Sequence, residues 1–380
     1  MIKILTACSI EIDDSDAAIA EILEQLDLEH TQLKNSVGLM ACHVDFILES
    51  DTVRRLCARL PFDVIGINTM GSSTNKGGGQ FILNLTVLTS DDVTFSVGLS
   101  RSFDGAEEKL RELYNMARAG LPEDPKLMLS FCPFSNDAKM DFLVDYLSEI
   151  SGDVPLFGIA SSDFTTSYRK SMVLFNGETG DSYMVLLMLS GNIAPKFDVI
   201  NISGDNIINR AAVVTEAENN ILKKINNGLA VEYLHSIGLS NNGQIIGVQP
   251  FALLFSYKGD IQPVARIVIG QTPEGYIILG GNVGVNSAIS VGIIDRDYIL
   301  ETARDIATRD GEFSFKIIVS CLQRNFALGL DNMDEMETIR SSVSVPFLFA
   351  YSSGEICPVE NSDGKFINRY HNLTLACCSF

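Results

Sequence analysis

Residues able to do chemistry gather near the end of the chain. Gly354 allows close backbone approach or a positive φ, and Glu355 can accept hydrogen bonds from a ligand amine. Asn372 and Thr374 stand two apart on an expected strand, so they share a face, while His371 points to the other. A small polar ligand could be held among these groups. The same residues also suit a structural turn with Glu355 capping local backbone, since buried polar groups need partners either way.

Three further polar sets fall at expected strand ends, where open α/β sheets commonly bind ligands. They are Asn68 and Thr69 with Ser72 and Ser73, then Ser161 and Ser162 with Asp163, then Ser352 and Ser353. Ordinary turn chemistry by Ser and Asp is the competing explanation for each loop alone. An amino-acid ligand would also need a cation for its carboxylate, ideally a bidentate guanidinium. Arg101, Arg169, Arg266 and Arg324 are available, and the sequence does not choose among them.

Other chemistries have weaker signals. Cys357 and His371 could form a thiolate pair oriented by Glu355, as in a hydrolase or transferase, but nothing local signals an oxyanion site. The expectation is therefore no catalysis. The Gly77-Gly78-Gly79 run precedes a strand and lacks Gly-Lys-Ser/Thr, and Gly280-Gly281 with Gly284 has the same defect. The four histidines are scattered, and Cys42 and His43 would face opposite sides of a strand, so no metal is expected. No cofactor is expected either. Haem is the alternative, with His235 on an expected helix as an axial ligand.

The elements that must position these groups are legible from periodicity. Ile19, Ile22, Leu23 and Leu26 give a helix after Ser15, following a strand over 2–8. A strand is expected over 37–48, a short helix over 51–60 and a strand over 64–69. The glycine-rich stretch Gly71–Gly79 reads as a flexible loop. Strands over 81–88 and 93–99 follow, then a helix opened by Asp104 with Glu107 at capping-box spacing. A strand (126–132), a helix (139–150) and a strand (155–160) come next. Asn176-Gly177 predicts a hairpin between 171–175 and 183–189.

The second half repeats this order. Val97-Gly98-Leu99 matches Val291-Gly292-Ile293 at an offset of 194 residues, and Val154-Pro155 matches Val345-Pro346 at 191. An internal duplication is expected, with two related halves, 1–209 and 210–380, each a mixed sheet covered by helices. The fold class is α/β of mixed α+β type.

The chain has 380 residues, 46% hydrophobic, with a formal charge of −20. That suggests two or three domains and an ample core. So negative a surface repels phosphate backbones and anionic lipid, so neither nucleic acid nor membrane is an expected partner. No apolar run is long enough to span a bilayer. The eight cysteines form no Cys-x-x-Cys pair and sit mostly in apolar runs, as buried thiols of a cytoplasmic protein do.

Three stretches together resemble a known family. They are Val214 to Gly238 with its Asn226-Asn227-Gly228 turn, Ser344 to Pro358 with Gly354-Glu355-Ile356, and His371-Asn372-Leu373-Thr374-Leu375. Their order resembles the C-terminal part of the FIST (F-box and intracellular signal transduction) sensory domain. Asp63 to Thr69, Pro155 to Gly158 and Phe175-Asn176-Gly177 resemble its N-terminal part. The chain departs at Cys357, where a small residue is expected, and after Thr69. The resemblance implies a sensor of small molecules such as amino acids, signalling through a separate partner such as a kinase or cyclic-nucleotide enzyme. Some relatives are linked to haem and nitric oxide sensing.

Overall fold

A computed structural model describes residues 2–103, 106–134, 139–152, 154–163, 170–239, 251–257, 261–309, 311 and 313–380, with backbone alone at 209–211. Asp104 and Arg169 lie outside the described residues.

The fold is mixed α+β, and its repeat extends beyond a duplication: three units share one plan. In the first, the strands are Ile2–Ser9, Asn35–Cys42, Asp63–Asn68 and Leu83–Ser90. In the second they are Val93–Ser100, Leu127–Cys132, Leu156–Ala160 and Met184–Gly191. In the third they are Lys196–Ile200, Lys316–Cys321, Phe347–Ser352 and Leu375–Ser379. Each sheet runs in the order first, fourth, second, third. Only the second and third strands are parallel, because a helical crossover joins them.

Between its third and fourth strands, each unit gives a hairpin to another unit's sheet. Ser72–Thr74 pairs with Phe347–Ser352 of the third unit. Val173–Phe175 pairs with Asp63–Asn68 of the first. Glu355–Glu360 pairs with Leu156–Ala160 of the second. The exchange closes a ring of three sheets.

Period-two alternation sorts the side chains. Leu39, Ala41, Leu129, Phe131, Ile317 and Val319 meet in one central core. The intervening Met40, Met128 and Ile318 pack outward beneath helices. With both faces buried, these strands read as nearly continuous apolar runs.

Several expected elements are redrawn. The strand from 37 stops at Cys42, and Asp45–Leu48 is helical. The Gly71–Gly79 loop contains a donated hairpin. Asn176-Gly177 joins Val173–Phe175 to Glu178–Gly180, while Met184–Gly191 pairs within its own unit. The third unit's first strand is Lys196–Ile200, whereas Val291–Ile293 belongs to an inserted eight-stranded sheet. The insert enters and leaves on neighbouring strands, with Ile207 opposite Gly292. It has its own core, including Val214, Leu222, Phe251 and Val291. Ile202, Leu254, Ile267 and Ile294 pack it against Ile299, Leu328 and Leu373 of the third unit.

Candidate functional site

The three polar strand ends converge where the units meet. Asn68 Nδ2 donates to the carbonyls of Ser162 and Lys170, both at 2.9 Å, and its Oδ1 accepts from Met172 N–H. Thr69 Oγ1 donates to the Tyr351 carbonyl at 2.7 Å, and Ser162 Oγ reaches the same oxygen at 3.3 Å. Ser353 Oγ donates to the Ser161 carbonyl at 2.7 Å, and the Ser161 and Ser171 hydroxyls bond each other. Asn68, Thr69, Ser161, Ser162 and Ser353 are all buried. Each hydroxyl or amide satisfies a backbone or side-chain group of another segment, so the junction fastens the ring.

A second polar corner forms where the third unit's hairpin turns back. Thr374 Oγ1 donates to Glu355 Oε2 at 2.9 Å, and Thr374 N–H approaches it at 3.4 Å. Glu355 Oε1 has no partner among the described residues. Burial pushes this carboxyl up to about 8, against the pull of its Thr374 bonds. Gly354 is required here: a Cβ would lie 2.2 Å from the Tyr370 hydroxyl.

His371 directly faces Glu355 in the strand pairing, yet its Nε2 lies 3.1 Å from the Cys357 carbonyl. The Cys357 Sγ points instead to the Asp198 carbonyl at 3.9 Å. Burial raises that thiol well above its ordinary value and lowers the imidazole to about 3. Both groups are therefore neutral near pH 7, not a thiolate–imidazolium pair.

Asn372 and Thr374 do not share a strand face. The strand ends at His371, and Leu373 adopts φ 57°, so the chain turns between them. Thr374 serves Glu355, while Asn372 Oδ1 meets Ile267 N–H of the insert at 3.5 Å. Asn372 thus joins the core to the insert, while His371 and Thr374 bond within the core.

An open cleft of about 310 Å³ lies beside that joint, between helix Lys139–Ser151, strand Phe366–His371 and the insert. Arg266 forms its inner wall, almost fully buried. Its Nη2 donates to Asp141 Oδ1 at 2.8 Å, Nε to the Asn282 carbonyl at 3.1 Å, and Nη1 to the Tyr370 carbonyl at 2.8 Å. Asp141 Oδ2 accepts from Asn282 N–H at 2.8 Å. Gly281 makes the approach possible, since a Cβ there would lie 2.7 Å from Arg266 Nε. Asp145, Tyr257, Asn282 and Arg369 complete the polar lining. The cleft wall first, then the Asp141 carboxylate, push the Asp145 carboxyl upward.

Of the candidate cations among the described residues, only Arg266 reaches this cleft. Arg101 forms an exposed pair with Glu178 at 2.7 Å, and Arg324 is sealed inside with Glu335 at 2.7 Å. His235 is exposed on helix Ala230–Ser236. Sequence reasoning missed Asp141, Asp145, Tyr257, Asn282 and Arg369. They come from four distant segments with no local motif. The usable signal was Gly280-Gly281, small residues that let other groups pass.

Three exchanged α/β units with an inserted β-domain and a charged cleft at their joint define a modular α/β protein rather than a regular βαβ fold. The FIST N domain pattern matches residues 36–228, and the FIST C domain pattern matches 221–358. The chain belongs to the FIST family, whose domains are sensory domains implicated in signal transduction and small-ligand binding. No curated protein matches the chain closely enough to count as a relative. Among the described residues, no helix is long and apolar enough to cross a membrane.

Proposed function

We propose that the protein is a cytoplasmic, non-catalytic sensor that binds a small metabolite of amino-acid size in the cleft between core and insert. It passes the signal to a separate output protein such as a kinase or cyclic-nucleotide enzyme. The observation that carries this reading is the cleft itself: about 310 Å³ of space lined by charged and polar groups from both bodies. A ligand touching both would favour one arrangement of insert and core, which is what a sensor needs.

Thermal denaturation against a library of amino acids and small metabolites tests the reading. A ligand specific to the folded state at ~100-fold over its dissociation constant adds about 2.7 kcal/mol of stability. The control is Gly284→Leu, which places a side chain in the cleft with its Cβ about 3.2 Å from Tyr257 Cε1. The expected result is a midpoint shift for the wild type that this variant loses while remaining folded. A shift retained in full by Gly284→Leu would place the ligand elsewhere.

A further inference from the structure

We propose that strand Val93–Ser100, the free edge of the second unit's sheet, pairs with the same strand of a second copy of this chain. The sheet ends there, since this strand is bonded on one side only, to Met184–Gly191. Successive residues of a strand turn their main-chain groups to opposite sides. Lys126 N–H donates to the Leu189 carbonyl, so Leu189, Leu187 and Val185 turn away from the edge strand. The ladder to the edge therefore runs through Thr94, Ser96, Gly98 and Ser100. Val93, Phe95, Val97 and Leu99 point their N–H and C=O groups outward. Val93 is served at once: its N–H donates to Ser90 Oγ at 3.1 Å, and its carbonyl accepts from Asn35 Nδ2 at 3.0 Å. Leu99 N–H meets Met116 Sδ at 3.4 Å, a weak acceptor. The outward groups of Phe95 and Val97 have no partner among the described residues.

This edge lacks the charges that usually keep sheet edges apart. The equivalent strand of the first unit carries Lys3, and that of the third carries Lys196 and Asp198. Val93–Ser100 has neither charge nor proline. The side chains of Phe95, Val97 and Leu99 are half-exposed beside the central core, and Met116 next to them is exposed. Antiparallel pairing about a two-fold axis at Val97 sets Phe95 opposite Leu99 of the second copy. It engages all three outward residues and stops where Val93 is capped. The apolar side chains then meet as cross-strand pairs on one face. The strand's ends select a second copy over an unrelated strand. Asp91 and Asp92 precede it and Arg101 follows it, held by Glu178. Antiparallel pairing lays each copy's Arg101 beside the other's acidic turn, whereas parallel pairing would set like ends together. Such an interface is isologous and closes at two chains. The formal charge of −20 opposes association in general, but about 0.15 M salt confines that repulsion to roughly 8 Å.

Sedimentation velocity of the full chain in that salt, from about 1 to 100 μM, tests the proposal together with amide exchange. The expected result is a dimer at the higher concentrations, with slowed exchange of the Phe95 and Val97 amides appearing alongside it. Val97→Pro removes an N–H that the chain's own sheet does not use, and should weaken the dimer about tenfold or more. Arg101→Glu and Asp91→Arg should each weaken it about threefold, and the two together should restore it. A monomer throughout, an assembly larger than two, or a dimer that Val97→Pro leaves intact overturns the proposal. So does a dimer whose Phe95 and Val97 amides exchange as freely as at low concentration. Slow exchange of those amides in a strictly monomeric sample would mean that another segment of this chain covers the edge, and overturns it too. If Val97→Pro does not fold by circular dichroism, the charge reversals decide: no weakening by the single variants, or no restoration by the pair, overturns the proposal.

Discussion

Glu355 and His371 face each other across two strands, and burial pushes both toward neutrality. Their effects on stability have opposite signs. The Glu355 carboxyl is raised from 4.5 to about 8, so the stability it contributes is full below 4.5 and is lost as pH rises through 8. The His371 imidazole is lowered from 6.5 to about 3, so its contribution is full above 6.5 and is lost as pH falls toward 3. The two slopes oppose each other between 4.5 and 6.5, and above 6.5 the Glu355 slope stands alone. Urea denaturation should therefore show stability falling between pH 6.5 and 8, by at most about 1.4 kcal/mol per pH unit for one proton. In Glu355→Gln this part of the slope should vanish. An unchanged slope in the variant would mean that the carboxyl ionises as freely in the folded protein as in the unfolded chain. At this scale the sequence was informative about which polar residues matter and silent about what they touch. Asn68, Thr69, Ser161 and Ser162 stood out as polar strand ends, but Asn68, Thr69 and Ser162 reach carbonyls of remote segments, and Ser161 gives its own carbonyl to Ser353 Oγ.

Elements with self-contained signals were the legible ones. The helix Ser15–Leu26 follows directly from its apolar spacing, with Asp14 accepting from the N–H groups of Asp16 and Ala17 at its start. Hairpins were misread because their partner strands belong to other units, and no local pattern records that. Ser72–Thr74 carries no apolar alternation, since its side chains bond polar groups of their own unit, as Ser72 Oγ does to the Ala41 carbonyl and Thr74 Oγ1 to Asn84 Oδ1. One helix end depends on a single lysine. The Lys316 ammonium opens the second strand of the third unit and donates to the carbonyls of Ile306, Ala307 and Arg309 at 3.0–3.2 Å. It thereby closes the C-terminal turn of helix Arg296–Thr308, where a cation is also favoured by the helix dipole. Lys316→Met keeps the apolar stem but strands those carbonyls. The expected cost is about 2–3 kcal/mol in urea denaturation. A loss within experimental error of zero would show that solvent or other donors serve that helix end.

The whole molecule shows why the repeat was only partly visible. The third unit is split between its first strand, Lys196–Ile200, and its first helix, Arg296–Thr308, by the insert. The first unit lacks the spacing shared by the other two, so sequence comparison finds two copies where the sheets show three. Ring closure also ties distant residues together, since each sheet is completed by a hairpin from another unit. The insert stands outside this exchange and docks through Arg266, Asn282 and Ile267, which leaves the cleft at the joint. Hydrogen exchange with and without the compound that most raises the melting midpoint tests the central claim most directly. The account predicts joint protection of helix Lys139–Ser151, strand Val264–Arg266 and the segment 282–284. Protection centred instead on 68–74, 160–163 and 352–355, with the cleft unchanged, would contradict it and return the ligand to the polar strand ends.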